Sequence, residues 1–466
     1  MKAILFAVLL LFLVRTNTFS QECNCSQEFQ YVKNKIEKNY AGFRDKVNPK
    51  TKIAYQKYSA QVLERSEKIT SSPYCVNLIN EWIGFFKDGH IEVGRNRLSK
   101  EKYDADQERL AASVEKQEVG EQDLDRLKKS AGIEGIYWDK DSIYKVAIIK
   151  NENAFRDYAG VILESKIKAW KPGSILLELK DQKSILKGIA YDKYYTPESV
   201  SFKISQNALG DWQREGTSRT KAEKVLSDDV SCKLLSAQTF YIQIGTFNQR
   251  NAKKIDSLIL FNKEILDKTP NLILDLRNNG GGADFSYRPL IPYFYTNPIK
   301  TIGPDILSSD DNIAGWAGLL KMNDMPEDQK VFIREKIAAM ESHKNEFIDL
   351  GADKDLVLDS ISVFPKRIVI LINKGCGSTT EQFLLAAKQS KKVTIMGENS
   401  AGVLDYANVR DISFSCMPYA LHYATSRSRR VDIGQGIDNK GIRPGYLLTP
   451  AQNWVTEAQQ FLEKNR

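Results

Sequence analysis

Apolar positions change period several times along this chain, and each change marks an element. Between residues 26 and 98 they recur at helical spacing: Phe29, Val32, Ile36 and Tyr40 share one face, and stretches 55–69 and 75–86 keep the same period. This predicts a small helical region. It closes on Phe86-Lys87-Asp88-Gly89-His90, where Asp-Gly marks a turn, and Ile91 and Val93 then alternate as in a strand. Residues 100–130 are charged and read as a solvated helical linker. From 131 to 232 the pattern becomes β-rich, with runs at 136–138, 144–149, 160–163 and 174–177 separated by turn residues. Beyond it, strands at 240–244, 272–276, 367–372 and 393–396 alternate with helices at 252–268 and 380–390. That alternation predicts an α/β domain whose mostly parallel sheet is covered on both sides. Residues 300–360, charged and helical, read as an insertion or lid. The expected organisation is therefore a leader at 1–20, a helical region and linker at 21–130, a β-rich module at 131–232 and a core at 233–466.

The leader is an expectation about processing. Lys2 precedes an apolar run over residues 3–14, which Arg15 and a polar segment terminate. The run is too short to span a bilayer and has the form of a cleaved export signal, so the mature protein is expected in the periplasm or outside the cell, without stable membrane insertion. The net charge of +8, falling to about +6 without Lys2 and Arg15, is spread over many residues, which argues against nucleic acid as a partner. Export would let the six cysteines form disulfides, and a bond from Cys23 or Cys25 to Cys75 would tie down the mature N-terminus. Their spacing suits no zinc site, and with only three histidines the chain is expected to use neither metal nor organic cofactor.

Two stretches carry candidate chemistry. The apolar run ending at Asp275-Leu276-Arg277-Asn278-Asn279-Gly280-Gly281-Gly282 and the one ending at Gly375-Cys376-Gly377-Ser378-Thr379 both empty into turns of small residues, leaving backbone N–H groups near a hydroxyl. Ser378 stands at a helix N-terminus, where it is either an ordinary N-cap or a nucleophile beside the free N–H of Thr379. Gly281 or its neighbour would supply a second oxyanion donor. Cys376, nearer the strand end, reads as packing, and Asp275 with Arg277 as a structural pair. A serine needs a base. His90 lies in a turn, His343 in a charged helix and His422 in a strand-like run; from local sequence none stands out.

Taken together, the Asp275–Gly282 stretch, the Ser378-Thr379-Thr380-Glu381 helix start, Gly397-Glu398-Asn399-Ser400-Ala401-Gly402 and the run from Gly436 to Pro444 resemble, in order, the motifs of the C-terminal-processing (tail-specific) serine proteases. The resemblance spans residues 240–450. It implies a ClpP/crotonase-like core of ββα units, a polypeptide substrate and Ser378 as nucleophile. Where the best-known branch carries a lysine base this chain has Val403, so the resemblance passes to the branch similar to the tricorn core, with a histidine base. Phe86-Lys87-Asp88-Gly89-His90 matches that motif and makes His90 the base; Asp438 best matches the acidic residue orienting it, with Asp405 in reserve and Gly445 where an aspartate is usual. Many relatives carry a PDZ domain at the position of the β-rich module, but Trp170-Lys171-Pro172-Gly173-Ser174 only faintly resembles its carboxylate loop, and a small barrel is the other reading. The expected function is an exported serine peptidase acting through an acyl-enzyme on Ser378. The alternative is an inactive member of the fold that binds peptide or another ligand.

Overall fold

The computed structural model describes residues 24–96, 100–205, 207–217, 230–321, 325–351, 353–414 and 416–464. The expected leader and Cys23 lie outside them. The helical region comprises Cys25–Asn39, Lys52–Ser66 and Ser72–Ile83, ending in a short 3-10 turn, Gly84–Phe86. Asn24 caps the first helix by accepting the N–H of Ser26 at 2.9 Å. Phe29, Val32 and Ile36 are buried, as one helical face requires. Cys25 and Cys75 form a disulfide across 50 residues, while Cys416 is also disulfide-bonded and Cys232 and Cys376 are free. The linker holds two helices, Lys100–Ser113 and Glu121–Lys129, which bury Leu110 and Leu127.

The β-rich module is one eight-stranded antiparallel sheet formed from strands between Gly135 and Arg214. Its Trp170–Ser174 loop offers no cradle of free N–H groups. Those of Trp170, Gly173, Ser174 and Ile175 donate to Ile167, Ile162, Lys171 and Glu115 carbonyls. Val230–Ser236, whose first residues the sequence pattern groups with this module, pairs instead with Thr239–Ile244 in the next sheet.

That six-stranded sheet runs Val230–Ser236, Thr239–Ile244, Asn271–Asp275, Arg367–Ile372, Val393–Gly397 and Tyr446–Leu447, parallel after its first pair. Helix Thr379–Ala387 packs on one face through Phe383 and Leu384, and helix Trp454–Lys464 covers the other through Trp454, Ala458 and Leu462. Burial on both faces explains the continuous apolar runs.

A second sheet joins the ends of the chain. Strand Glu92–Arg95 pairs antiparallel with Tyr419–Ser428, in register Glu92 to His422. Tyr419–Ser428 also pairs with Tyr406–Ser413 and with Pro304–Leu307. The segment read as an insertion or lid contributes a strand to this sheet, besides helices Asp310–Leu319 and Glu327–Ser342. One hydrophobic core then contains Phe29, Ile36, Trp82 and Phe86 from the first helices with Tyr406, Tyr419 and Tyr423 from this hairpin.

Candidate active site

Strand Arg367–Ile372 ends at the turn 373–377, and Ser378 follows with φ 53° and ψ −121°. That conformation is costly for a residue with a Cβ and persists only where the surroundings enforce it. An N-cap serine would be extended and would accept an N–H from the first helical turn. Ser378 makes no such bond. A serine strained at a strand–turn–helix junction, with its hydroxyl freed from capping, has the geometry of a nucleophile elbow.

The glycine-rich turn lies directly against it. Gly281 has φ 108°, and a Cβ there would come within 2.8 Å of the Gly377 carbonyl oxygen, 2.9 Å of the Thr379 nitrogen and 3.0 Å of the Ser378 Cβ. Only glycine permits this approach. Thr379, at the first helical position, has an N–H without an intrahelical acceptor, and its hydroxyl donates to the Gly282 carbonyl at 2.9 Å. The Gly281 N–H, one of the two expected oxyanion donors, is committed: it donates to Asn279 Oδ1 at 3.0 Å. The neighbouring Gly282 lines the cavity with Ser378. Asn279, which the sequence did not single out, is the knot of this turn. Its Oδ1 also accepts the Thr380 hydroxyl at 2.8 Å, and its Nδ2 donates to the Ile244 carbonyl at 3.0 Å.

His90 and Ser378 line one cavity of about 690 Å³, with Gly282, Thr379, Asp284, Asp405 and Arg430. Val403 is wedged between their turns. A Cβ on Gly89 would lie 2.8 Å from one Val403 methyl, and one on Gly377 2.9 Å from the other. Glu381 holds the valine loop by accepting the N–H groups of Gly402 at 2.7 Å and Val403 at 2.9 Å and the Ser400 hydroxyl at 2.5 Å. Asp88 fixes the histidine turn: Oδ1 accepts the His90 N–H at 2.8 Å and Oδ2 the Tyr40 hydroxyl at 2.6 Å.

The His90 Nδ1 is buried without a hydrogen-bond partner and stands 4.0 Å from Asp88 Oδ1. Asp438 makes no hydrogen bond to it. Its Oδ2 pairs with Lys46 at 3.1 Å, and its Oδ1 accepts the Asp405 N–H at 3.3 Å. Burial, reinforced by the Asp88 charge, raises the Asp438 carboxyl to about 7. The neighbouring Asn439 donates to the Lys87 carbonyl at 2.7 Å, tying this turn to the one bearing His90. Asp405 is a brace, its Oδ2 accepting the N–H groups of Ile437 at 2.5 Å and Asp438 at 2.8 Å.

The other candidates lie elsewhere. His422 Nδ1 is 2.5 Å from Asp411 Oδ1 within the second sheet, and the exposed His343 stands beside Ser342 at a helix end. The Cys376 thiol, pushed up to about 12 by burial, donates to the Leu276 carbonyl at 2.9 Å, a packing role. Asp275 and Arg277 form a two-point ion pair, with the Tyr241 hydroxyl on Asp275 at 3.0 Å. Among the described residues no group of three or more histidine, cysteine or acidic side chains is placed to hold a metal, and no helix is long and apolar enough to cross a membrane.

A strained serine, adjacent backbone donors and a histidine on one cavity define the class of serine hydrolases. Residues 238–448 match the model of peptidase family S41. That match places the segment in the family, and the protein is a serine peptidase with polypeptide as its substrate class. Two solved structures share its fold over nearly the whole length. Mature CPAF complexed with lactacystin has TM-score 0.52 at 14% identity, covering 95% of this chain and 97% of the other. Mature CPAF alone has TM-score 0.52 at 13% identity, covering 95% and 96%. The tricorn protease aligns at TM-score 0.39 and 12% identity over 95% of this chain and 37% of that one. No curated protein matches the chain in sequence.

Proposed function

We propose that the chain is an exported peptidase that cleaves polypeptides through an acyl-enzyme on Ser378, on a ClpP/crotonase-like core. The observation carrying this reading is the strained, uncapped Ser378 sharing its cavity with His90. His90 Nε2 takes the serine proton as the hydroxyl attacks the scissile carbonyl, then returns it to the leaving amine. The N–H groups of Thr379 and Gly282 receive the oxyanion, with Asn279 holding Gly281 in place between them. Asp438 supplies the negative charge that steadies the imidazolium, with Asp88 beside it; catalytic hydrogen bonds are often long before substrate arrives and tighten in the complex. Water then hydrolyses the ester. The export reading rests on the residue pattern of positions 1–20.

The test is stoichiometric labelling by a serine-reactive phosphonate, mapped by mass spectrometry. An adduct on Ser378, absent from Ser378→Ala, is expected together with cleavage of unfolded polypeptide. A folded protein that neither labels nor cleaves would be a binding member of the family instead.

A further inference from the structure

Arg430 lines the cavity, and the acyl-enzyme scheme leaves its chemistry unused. It follows strand Tyr419–Ser428 in a 3-10 turn, Arg429–Val431, where its N–H donates to the Ser428 hydroxyl at 3.3 Å. Its neighbour Arg429 points to Asp305, Asp349, Asp353 and the Gly351 carbonyl, so both of its Nη groups are engaged. Arg430 is only 5% exposed, yet its guanidinium donates no hydrogen bond to any group among the described residues. Asp405 Oδ1, the nearest ion-pair partner, lies 3.6 Å from Nε, beyond hydrogen-bond length, and is itself buried without a donor. Arg156, equally hidden, shows what a structural buried arginine requires here: its Nε, Nη1 and Nη2 all donate, to Asn151, Glu115 and Glu178.

A buried guanidinium held by a single carboxylate at 3.6 Å, with no closer acceptor among the described residues, is under-satisfied, and such exceptions call for a ligand. With Nε buried beside Asp405, the Nη donors are the ones left for a ligand of the cavity that Arg430 lines with Ser378 and His90. They form a planar fork, matched in shape and charge by a carboxylate. Asp284, the other carboxyl at the cavity, lies by Thr379 and Gly282 at the oxyanion end and directs an acidic group away from there.

Resting on the acyl-enzyme reading of Ser378, we propose that Arg430 is a carboxylate-binding specificity residue, so that preferred substrates carry a carboxylate near the scissile bond, either an aspartate or glutamate side chain or the free chain terminus. Asp405 holds the guanidinium from behind and limits its charge, which favours two-point recognition over non-specific attraction.

The experiment uses the full-length protein and fluorogenic peptides that differ only by glutamate against glutamine at each position flanking the cleaved bond, plus one pair with free or amidated C-terminus. Rates are taken per Ser378 site titrated with phosphonate. A carboxylate in the right place should raise kcat/KM about tenfold or more over its amide. Arg430→Gln should bring that ratio close to one, and Arg430→Lys should retain part of it. If terminal amidation alone removes the preference, the chain terminus is the group recognised; if one glutamate does, it is the side chain. Either result supports the proposal. Titratable wild-type Ser378 with no carboxylate preference at any position overturns it, as does a preference that survives in Arg430→Gln. Should Arg430→Gln fail to fold, the wild-type ratios and Arg430→Lys still decide. Wild-type protein with no titratable Ser378 fails the acyl-enzyme reading itself and this proposal with it.

Discussion

The two halves of the site are built in different ways. The nucleophile half is built within one sheet: the ends of the adjacent strands Asn271–Asp275 and Arg367–Ile372, their turns and a helix start, locked by Asn279 and by glycine backbone packed against glycine backbone. The base half is assembled from a distance. His90 and Lys46 come from the first quarter of the chain and Asp438 from the last, joined by the pairing of Glu92–Arg95 with Tyr419–Ser428 and by Asn439 on Lys87. A half whose turns sit on neighbouring strands tolerates little change, whereas one joined across the length of the chain can hold its groups in place without their being aligned, as the unpartnered His90 Nδ1 shows.

That contrast can be tested by substitutions, the largest effect first. Asp438→Asn should lower kcat/KM by about 10³-fold or more, by leaving the imidazolium unsupported, with Asp88→Asn costing less. Steady-state rates on a peptide substrate would check this, and the reverse order would give the orienting role to Asp88. Gly281→Ala forces a Cβ into three contacts of 3.0 Å or less at φ 108°, and should lose about 10²–10³-fold in acylation by displacing the oxyanion donors. Phosphonate labelling rates read it directly.

A smaller effect lies in pH. Burial favours neutral Asp438, so the stability it contributes is full below the ordinary carboxylate range near pH 4 and is lost as pH rises through about 7. Activity runs the opposite way, because the imidazolium requires the ionised carboxylate, and its acidic limb should rise through about pH 7. Lys46 favours the charged form, so Lys46→Met should move that limb to higher pH, measurable in kcat/KM profiles. The smallest effect on catalysis is expected from Cys25→Ser. It should leave rates at low temperature nearly unchanged while removing about 2–4 kcal/mol of stability in denaturant unfolding.

The same division governs what could be read from the residues. Strands Asn271–Asp275 and Arg367–Ile372 and the helix after Ser378 were legible because burial on both sheet faces writes itself as apolar runs, and glycines mark their ends. Whether Ser378 caps a helix or stands strained was not, since both conformations accept the same Ser-Thr-Thr-Glu start. Gly281 was read as a donor because nothing in a glycine run reveals which N–H a neighbouring asparagine takes. Lys46 and Asn439 were invisible for a different reason: their partners are hundreds of residues away. In the segment 300–360, read as a helical insertion or lid, strand Pro304–Leu307 escaped notice because it is short and finds its pairing in the distant Tyr419–Ser428.

The central claim is that an imidazole from the start of the chain serves a hydroxyl near its end. Its most direct test is the second-order rate of phosphonate acylation at Ser378 in His90→Ala and His422→Ala. The account predicts a fall of about 10³-fold or more in the first and a rate close to wild type in the second. Acylation that survives loss of His90, or disappears with His422, would contradict it.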